Sequence, residues 1–500
     1  MTLEKDEFGR IEMNTNLTDA TATRDRDRKS VLVIVLVSML MAILDAFMMN
    51  IALPTVTTDF AIGIAEAQWV LTGYLIAMTS LFIIFGRLSE FTGKTRLFTA
   101  GLVLFTASSL ACAIAPGISW LVASRILQGL GASMMFSISG AIIVNTFPKE
   151  EMGRAMGLFG AVFGLGAVLG PVLGGFLTAL FGWQSIFLVN VPVGILLLFG
   201  VSRYFRIPET IDPHFIMDWI GACLLFVFIT SLIVFCGQMA YLFTMTLLLL
   251  ANGIVVVASF MLLLVHLRRC PHPIFDITFL KNRWFVMPVI ASALFTIAVT
   301  IVNTIGPFYF QGVMGYSPLQ IGLLYMLVPL FLMVASPVSG WVYDRYRYRY
   351  LAAVGVAISI AGFLILTYAI LVAGLGLIVT AFVIRGIGGG FFVSPNATET
   401  MTSLPLKNTA AASSVSATMN NLASALGISL ASILVAAGFL GSGYRGPVLG
   451  ADQALLSQIF GVSALIAAGI CLCSGIVSVM RNMQTPPQPT TAGPVNVYEE

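Results

Sequence analysis

One acidic residue, Asp45, lies well inside a long apolar run of the chain, and two basic residues, Arg125 and Arg385, share that setting. A charged side chain at hydrocarbon depth costs at least about 2.5–3.5 kcal/mol on insertion scales, so such a group is expected to be paired or to do work. A carboxyl there can carry a proton in one conformation and release it in another. Arg125, with Gln128 one turn further on, can pair with Asp45 or exchange partners as the conformation changes. The bland alternatives are a permanent structural pair and snorkelling of Arg125 to the headgroups. Arg385 precedes a glycine run (Gly386, Gly388 to Gly390) and reads equally as helix packing or as function. The proton-coupling candidates are therefore Asp45 and Arg125. Candidates to line a substrate cavity are Met48, Asn50, Tyr74, Gln128, Asn303, Tyr309, Gln311, Arg385, Asn396 and Asn420. Methionine, aromatic rings and a few hydrogen-bonding groups suit lipophilic compounds, although each residue alone serves as readily in a core. No nucleophile and base converge, so no catalytic residue is expected. The six cysteines and three histidines show neither a disulfide framework nor metal-ligand spacing, so no metal and no cofactor are expected. Gly93-Lys94-Thr95 ends like a phosphate loop, but Leu88 stands where that loop needs glycine.

These residues must be held by helices in a bilayer. Hydrophobic residues make up 58% of the 500 positions and charged residues 9%. Soluble domains average roughly 45–50% and 25%, so a single water-soluble fold is excluded. A net charge of +3 is too small to imply nucleic acid. Apolar runs bounded by charges, Pro or Gly number fourteen, the first near 30–53 and the last near 455–480. With the N-terminus cytoplasmic, 22 of the 25 Lys and Arg fall in inner segments, a strong positive-inside pattern. An even number of spans places both termini on that side. Trp69, Trp120 and Trp183 fall at outer span ends, and Trp219, Trp284 and Trp341 at inner ones, as interfacial tryptophans do. Residues 1–29 read as a cytoplasmic tail rather than a signal peptide, because the apolar run that follows is long and uncut.

The chain repeats itself. Gly86, Glu90, Gly93, Lys94 and Arg96 mark the loop after the second span; Gly340, Asp344 and Arg345 mark the loop after the tenth with the same order of glycine, acid and base. Arg125 in the fourth span is echoed by Arg385 in the twelfth, each followed by glycines, at nearly the same separation along the chain. The expected organisation is a tail (1–29), a six-helix bundle (30–203), a linker with two inserted helices (204–284), a second six-helix bundle (285–480) and a C-terminal tail (481–500). Duplicated bundles with a midplane site between them are a transporter architecture. The two loops form an expected inner-gate latch, with Glu90 or Asp344 pairing to an arginine when the inner end is shut.

In these motifs the chain resembles the major facilitator superfamily, and within it the fourteen-helix drug:proton antiporters. Residues 86–97 resemble its loop 2–3 motif, with Glu90 where Asp is usual. Leu121 to Ala132 resembles its fourth-helix motif, and Leu44 to Pro54 the first-helix signature of the fourteen-helix branch, with Phe47 for the usual Thr. Gly166, Gly170, Pro171, Gly174 and Gly175 match the antiporter motif of the fifth helix, and Phe187 to Gly194 also fits. The resemblance implies an all-α polytopic membrane protein of major facilitator fold, with two six-helix bundles plus two extra helices. It implies a proton-coupled efflux transporter in the plasma membrane, driven by the proton gradient, and not an enzyme. The expected partners are a small-molecule substrate, protons and the lipid bilayer, with accessory efflux components as a further expected partner. The rival readings are a proton-coupled exporter of one specific metabolite, lipid or siderophore and, from another class, a passive channel. Clustered charges along several spans would mark a channel, and the spans lack them.

Overall fold

The computed structural model describes residues 3–147, 149–205, 217–239, 246–271, 273–274, 281–346, 348, 350–372, 374–403, 409–444 and 446–482. Among them, fourteen helices are long and apolar enough to cross a membrane. They are α1 (Arg28–Asp59), α2 (Ile64–Thr92), α3 (Lys94–Ala113), α4 (Ile118–Thr146), α5 (Gly157–Phe181), α6 (Gln184–Tyr204), α7 (Trp219–Gln238), α8 (Leu247–Arg269), α9 (Arg283–Gly312), α10 (Pro318–Tyr343), α11 (Leu351–Val372), α12 (Leu375–Thr402), α13 (Ser413–Ser442) and α14 (Gln453–Met480). The protein is a multi-pass membrane protein. The helix of α1 begins at Leu3, so the N-terminal tail continues the first span as helix, with no proline before Pro54 to stop it. Beyond residue 482 the C-terminal tail lies outside the described residues, as does 206–216 of the linker.

Glycine decides which helices touch most closely. Gly101 of α3 and Gly131 of α4 face each other, and a methyl group on either would overlap the other's carbonyl oxygen. Gly129 lies on the backbone of Tyr74 in α2. The second half repeats this arrangement: Gly355 of α11 faces Gly388 of α12, and Gly386 lies on the backbone of Val328 in α10. Close backbone approach through small residues is how helices associate without a hydrophobic drive between them. This register corrects the echo read from the sequence. Gly386 stands where Gly129 stands, so Arg385 takes the place of Gln128, and Phe382 that of Arg125. Matching arginine to arginine is one turn out of register, because backbone contact rather than charge fixes the alignment.

The inserted helices pack at the edge. Gly237 of α7 receives the Trp69 ring of α2, and Gln68 Nε2 donates to Gly237 O at 3.2 Å. Only 17% of the most apolar stretch of α8 is buried, against 61% for α2, so α8 presents most of its apolar side chains outward.

The two bundles join at one end and part at the other. Far from Arg28, a single core runs from Met48, Leu53 and Leu71 to Phe308, Phe310 and Phe460. Toward Arg28 it divides. Val35, Phe98 and Ile142 pack within the first bundle, whereas Phe285 and Val289 pack with Met401 and Met419 in the second. There α2 and α13 stay in touch through Ile76, Ile84, Leu422 and Ala425, beside α7 and α8.

Candidate functional site

Asp45 sits midway along α1, where four neighbouring helices converge on it. Its Oδ2 accepts from Arg125 Nη1 of α4 in a short ion pair. Its Oδ1 accepts from Gln128 Nε2 at 3.0 Å and from Asn190 Nδ2 of α6 at 2.9 Å. Arg125 spends its other groups close by: Nη1 also donates to Gln128 Oε1 at 2.6 Å, and Nε to the Val70 carbonyl of α2 at 3.1 Å. Gln128 Nε2 donates in addition to Ser109 Oγ of α3 at 2.8 Å. The guanidinium carbon lies 4.4 Å from the Tyr74 ring centroid and 5.6 Å from that of Phe187. Asp45 is 0% and Arg125 1% exposed, so the pair is sealed from both solvent and lipid, and Arg125 does not snorkel. A buried charge pair is tolerable only when the remaining donors and acceptors are satisfied, and this network satisfies them. The sequence singled out Asp45, Arg125, Gln128 and Tyr74. It did not single out Asn190 or Ser109 as site residues.

The remaining cavity candidates are dispersed. Met48 packs under Gly174 of α5, and Asn50 Nδ2 donates to Ala46 O of its own helix at 3.4 Å. Asn303 is half-buried in α9. Tyr309 is buried and stacks on Phe460 with 4.8 Å between centroids, while Gln311 Oε1 is buried with no hydrogen-bond partner among the described residues. Asn396 ties α12 to α9 by donating to Pro288 O at 3.0 Å. Asn420 ties α13 to α9 by accepting from Ser292 Oγ at 2.9 Å. Arg385 is 3% exposed, and its three guanidinium nitrogens find no hydrogen-bond acceptor among the described residues. It rests over the Phe363 ring at 4.5 Å and the Phe382 ring at 5.4 Å. Among the described residues, the second bundle therefore does not reproduce the charge network of the first.

At the loop after α2, Gly93 adopts φ +90°, which lets α2 end and α3 begin without a break. Gly86 lies 4.0 Å (as a notional Cβ) from Ser137 O, and Gly340 lies 3.2 Å in the same sense from Ser394 Oγ. Among the described residues Glu90 pairs with Arg87 on its own helix at 3.7 Å, both side chains nearly half exposed. Lys94 is half-buried and Arg96 exposed; Arg345 is exposed over Trp341. The side chain of Asp344 lies outside the described residues. In α5, Gly166, Gly170 and Gly174 lie against Ile43, Phe47 and Met48 of α1. Gly175 meets the Pro318 carbonyl of α10, and in return Gly322 of α10 meets the Pro171 carbonyl. The glycine run therefore packs α5 within its bundle and also closes the joined end.

Folding also brings Asp218, at the start of α7, to His266 and Cys270 at the end of α8.

The profile of the Major Facilitator Superfamily matches residues 35–428. The chain belongs to the major facilitator superfamily. Within this superfamily, a riboflavin transporter, RibZ, of Clostridioides difficile (strain 630) is 32% identical over 78% of this chain and 84% of its own length. The multidrug resistance protein Stp of Mycobacterium tuberculosis (strain ATCC 25618 / H37Rv) is 29% identical over 80% of this chain and 74% of its own. Among solved structures of the fold, a bacterial homolog of the human lysosomal transporter Spinster, inward-facing and unoccupied, superposes with a TM-score of 0.68. At 13% identity it covers 92% of this chain and 99% of that one. Superfamily relatives of this kind are transporters, not enzymes.

Proposed function

We propose that the protein is a proton-coupled secondary efflux transporter, a drug:H+ antiporter that exports small lipophilic compounds by alternating access. The observation that carries the reading is the sealed Asp45–Arg125 pair with its Gln128 and Asn190 donors. Protonation of Asp45 cancels its charge and frees Arg125 to take another partner. Loss of that proton draws Arg125 back. A rearrangement that exposes the carboxyl first to one side and then to the other ties proton movement to the rocking of the bundles. Each charge moved inward is worth about 2.3 kcal/mol per 100 mV, to which a pH gradient adds. No covalent chemistry and no cofactor enter this cycle.

The distribution of Lys and Arg supports a plasma-membrane orientation with both termini cytoplasmic. In that orientation the joined end is the outer one, and the structure corresponds to an inward-facing state. The names of the multidrug resistance relatives support a lipophilic cargo. A second reading, a transporter of one planar heteroaromatic metabolite, is favoured by the riboflavin transporter's 32% identity. Transport by purified protein in proteoliposomes, under an imposed pH gradient and with cationic, anionic and neutral compounds plus riboflavin, tests both. Uptake of several lipophilic compounds that stops when the gradient is collapsed supports the first reading. Movement of riboflavin alone supports the second, and gradient-independent flux of every compound contradicts both.

A further inference from the structure

Asp218, His266 and Cys270 form a compact donor set that the transport cycle does not use. Their ligand atoms all lie within 4.8 Å of one another. His266 and Cys270 are four apart at the end of α8 and so share one face. Asp218 caps the first turn of α7, its Oδ1 accepting from Gly221 N at 2.8 Å and lying 2.7 Å from His266 Nε2. Its Oδ2 accepts from Ile274 N at 3.2 Å. The Asp218 carboxylate is 4% exposed and the His266 ring 21%, so the cluster is shielded yet open on one side. Arg268 and Arg269 beside it are exposed to the surroundings.

We infer that this cluster is a binding site for a thiophilic divalent cation of the zinc class. One thiolate, one imidazole and one carboxylate with an open fourth position is a donor set that suits zinc and its kin better than magnesium or calcium. Zinc bonds of about 2.0–2.3 Å require donors roughly 3.3–3.7 Å apart in a tetrahedron. Small side-chain rotations bring the present set to that spacing. On binding, Cys270 loses its thiol proton to solvent and Asp218 supplies a carboxylate oxygen. The His266 Nε2–Asp218 hydrogen bond opens, with the imidazole proton carried on Nδ1. The site would clamp α7 to α8 and to the chain at Ile274. The Ile274 carbonyl in turn accepts from Arg87 Nε, near the end of α2, at 3.4 Å. The inserted helices would thereby be linked to the end of the molecule where the bundles part.

Titration of the detergent-purified full-length protein with Co2+ tests the site by the near-ultraviolet thiolate-to-cobalt absorption. The expected result is a band that saturates at one equivalent, is displaced by Zn2+ and disappears in Cys270→Ser. His266→Ala should weaken binding by more than the roughly 10–100-fold that an outer-shell partner contributes, while Cys223→Ser leaves it unchanged. Absence of the band, its persistence in Cys270→Ser, or unchanged affinity in His266→Ala overturns the assignment. In the unaltered protein, Zn2+ should also protect Cys270 from maleimide, read by peptide mass spectrometry. Equal labelling with and without Zn2+ overturns it as well.

Discussion

The Asp45 carboxylate and the Arg125 guanidinium, 80 residues apart in the chain, meet as an ion pair that neither water nor lipid reaches. Its partners come from four other helices: Val70 from α2, Ser109 from α3, Gln128 from α4 and Asn190 from α6. A group held this fully changes state only if its charge changes or the helices move.

Removing one partner from the pair should therefore be severe. Arg125→Gln leaves Asp45 as an uncompensated buried charge and is expected to cost about 3–5 kcal/mol. Combining it with Asp45→Asn should restore a good part of that loss. Thermal unfolding of the four proteins in detergent, treated as a double-mutant cycle, checks this. Simple additivity of the two losses would mean that the pair is not coupled.

Arg385 should behave in the opposite way. Its guanidinium is buried over Phe363 and Phe382 with no acceptor among the described residues. Replacing a buried charge by an apolar side chain of similar volume is often neutral or stabilising by about 1–4 kcal/mol. Arg385→Met should thus unfold at the same or a higher temperature than the parent. A clear fall in Tm would show that the guanidinium has an anionic partner.

At the joined end, Gly175 of α5 touches the Pro318 carbonyl of α10, and Gly322 touches that of Pro171. A β-branched side chain at Gly175 cannot fit without moving a backbone. Gly175→Val should insert normally yet shift the population away from the state closed at that end. Spin labels placed on the ends of α5 and α10 beside this contact should report a longer distance in the variant. An unchanged distance distribution would show that the glycine contact does not govern closure.

Gly93 joins α2 to α3 with φ +90°. An alanine there takes on strain of about 1–3 kcal/mol. Gly93→Ala should lower Tm by a few degrees, whereas Glu90→Gln, which removes a nearly half-exposed pair with Arg87, should cost between 0 and about 1 kcal/mol. Equal losses in the two variants would place the importance of this loop in its charge rather than its backbone.

The spans were legible because each must present about 20 apolar residues to lipid, a demand that composition alone exposes. Asp45 and Arg125 were legible for the converse reason: a charge inside such a run is costly and stands out. Asn190 was not, because a single amide in an apolar helix carries no comparable penalty and its partner lies 145 residues away. The register of the repeat was misjudged by a turn because arginine was matched to arginine, whereas contacts of Gly129 and Gly386 with neighbouring backbones set the alignment. The cluster of Asp218 with His266 was hidden in the same way, since 48 residues separate two side chains that meet only when α7 and α8 pack.

Asp45→Asn, reconstituted beside the parent, gives the most direct comparison. The variant keeps the size of the side chain and one of its two acceptor oxygens but cannot take up or release a proton. Two fluxes are measured for the same substrate: exchange between equal pools without a gradient, and accumulation driven by an imposed pH difference. The account predicts that the variant still exchanges substrate while gradient-driven accumulation falls to the level of empty vesicles. Accumulation equal to that of the parent would contradict the assignment of Asp45 as the coupling carboxyl.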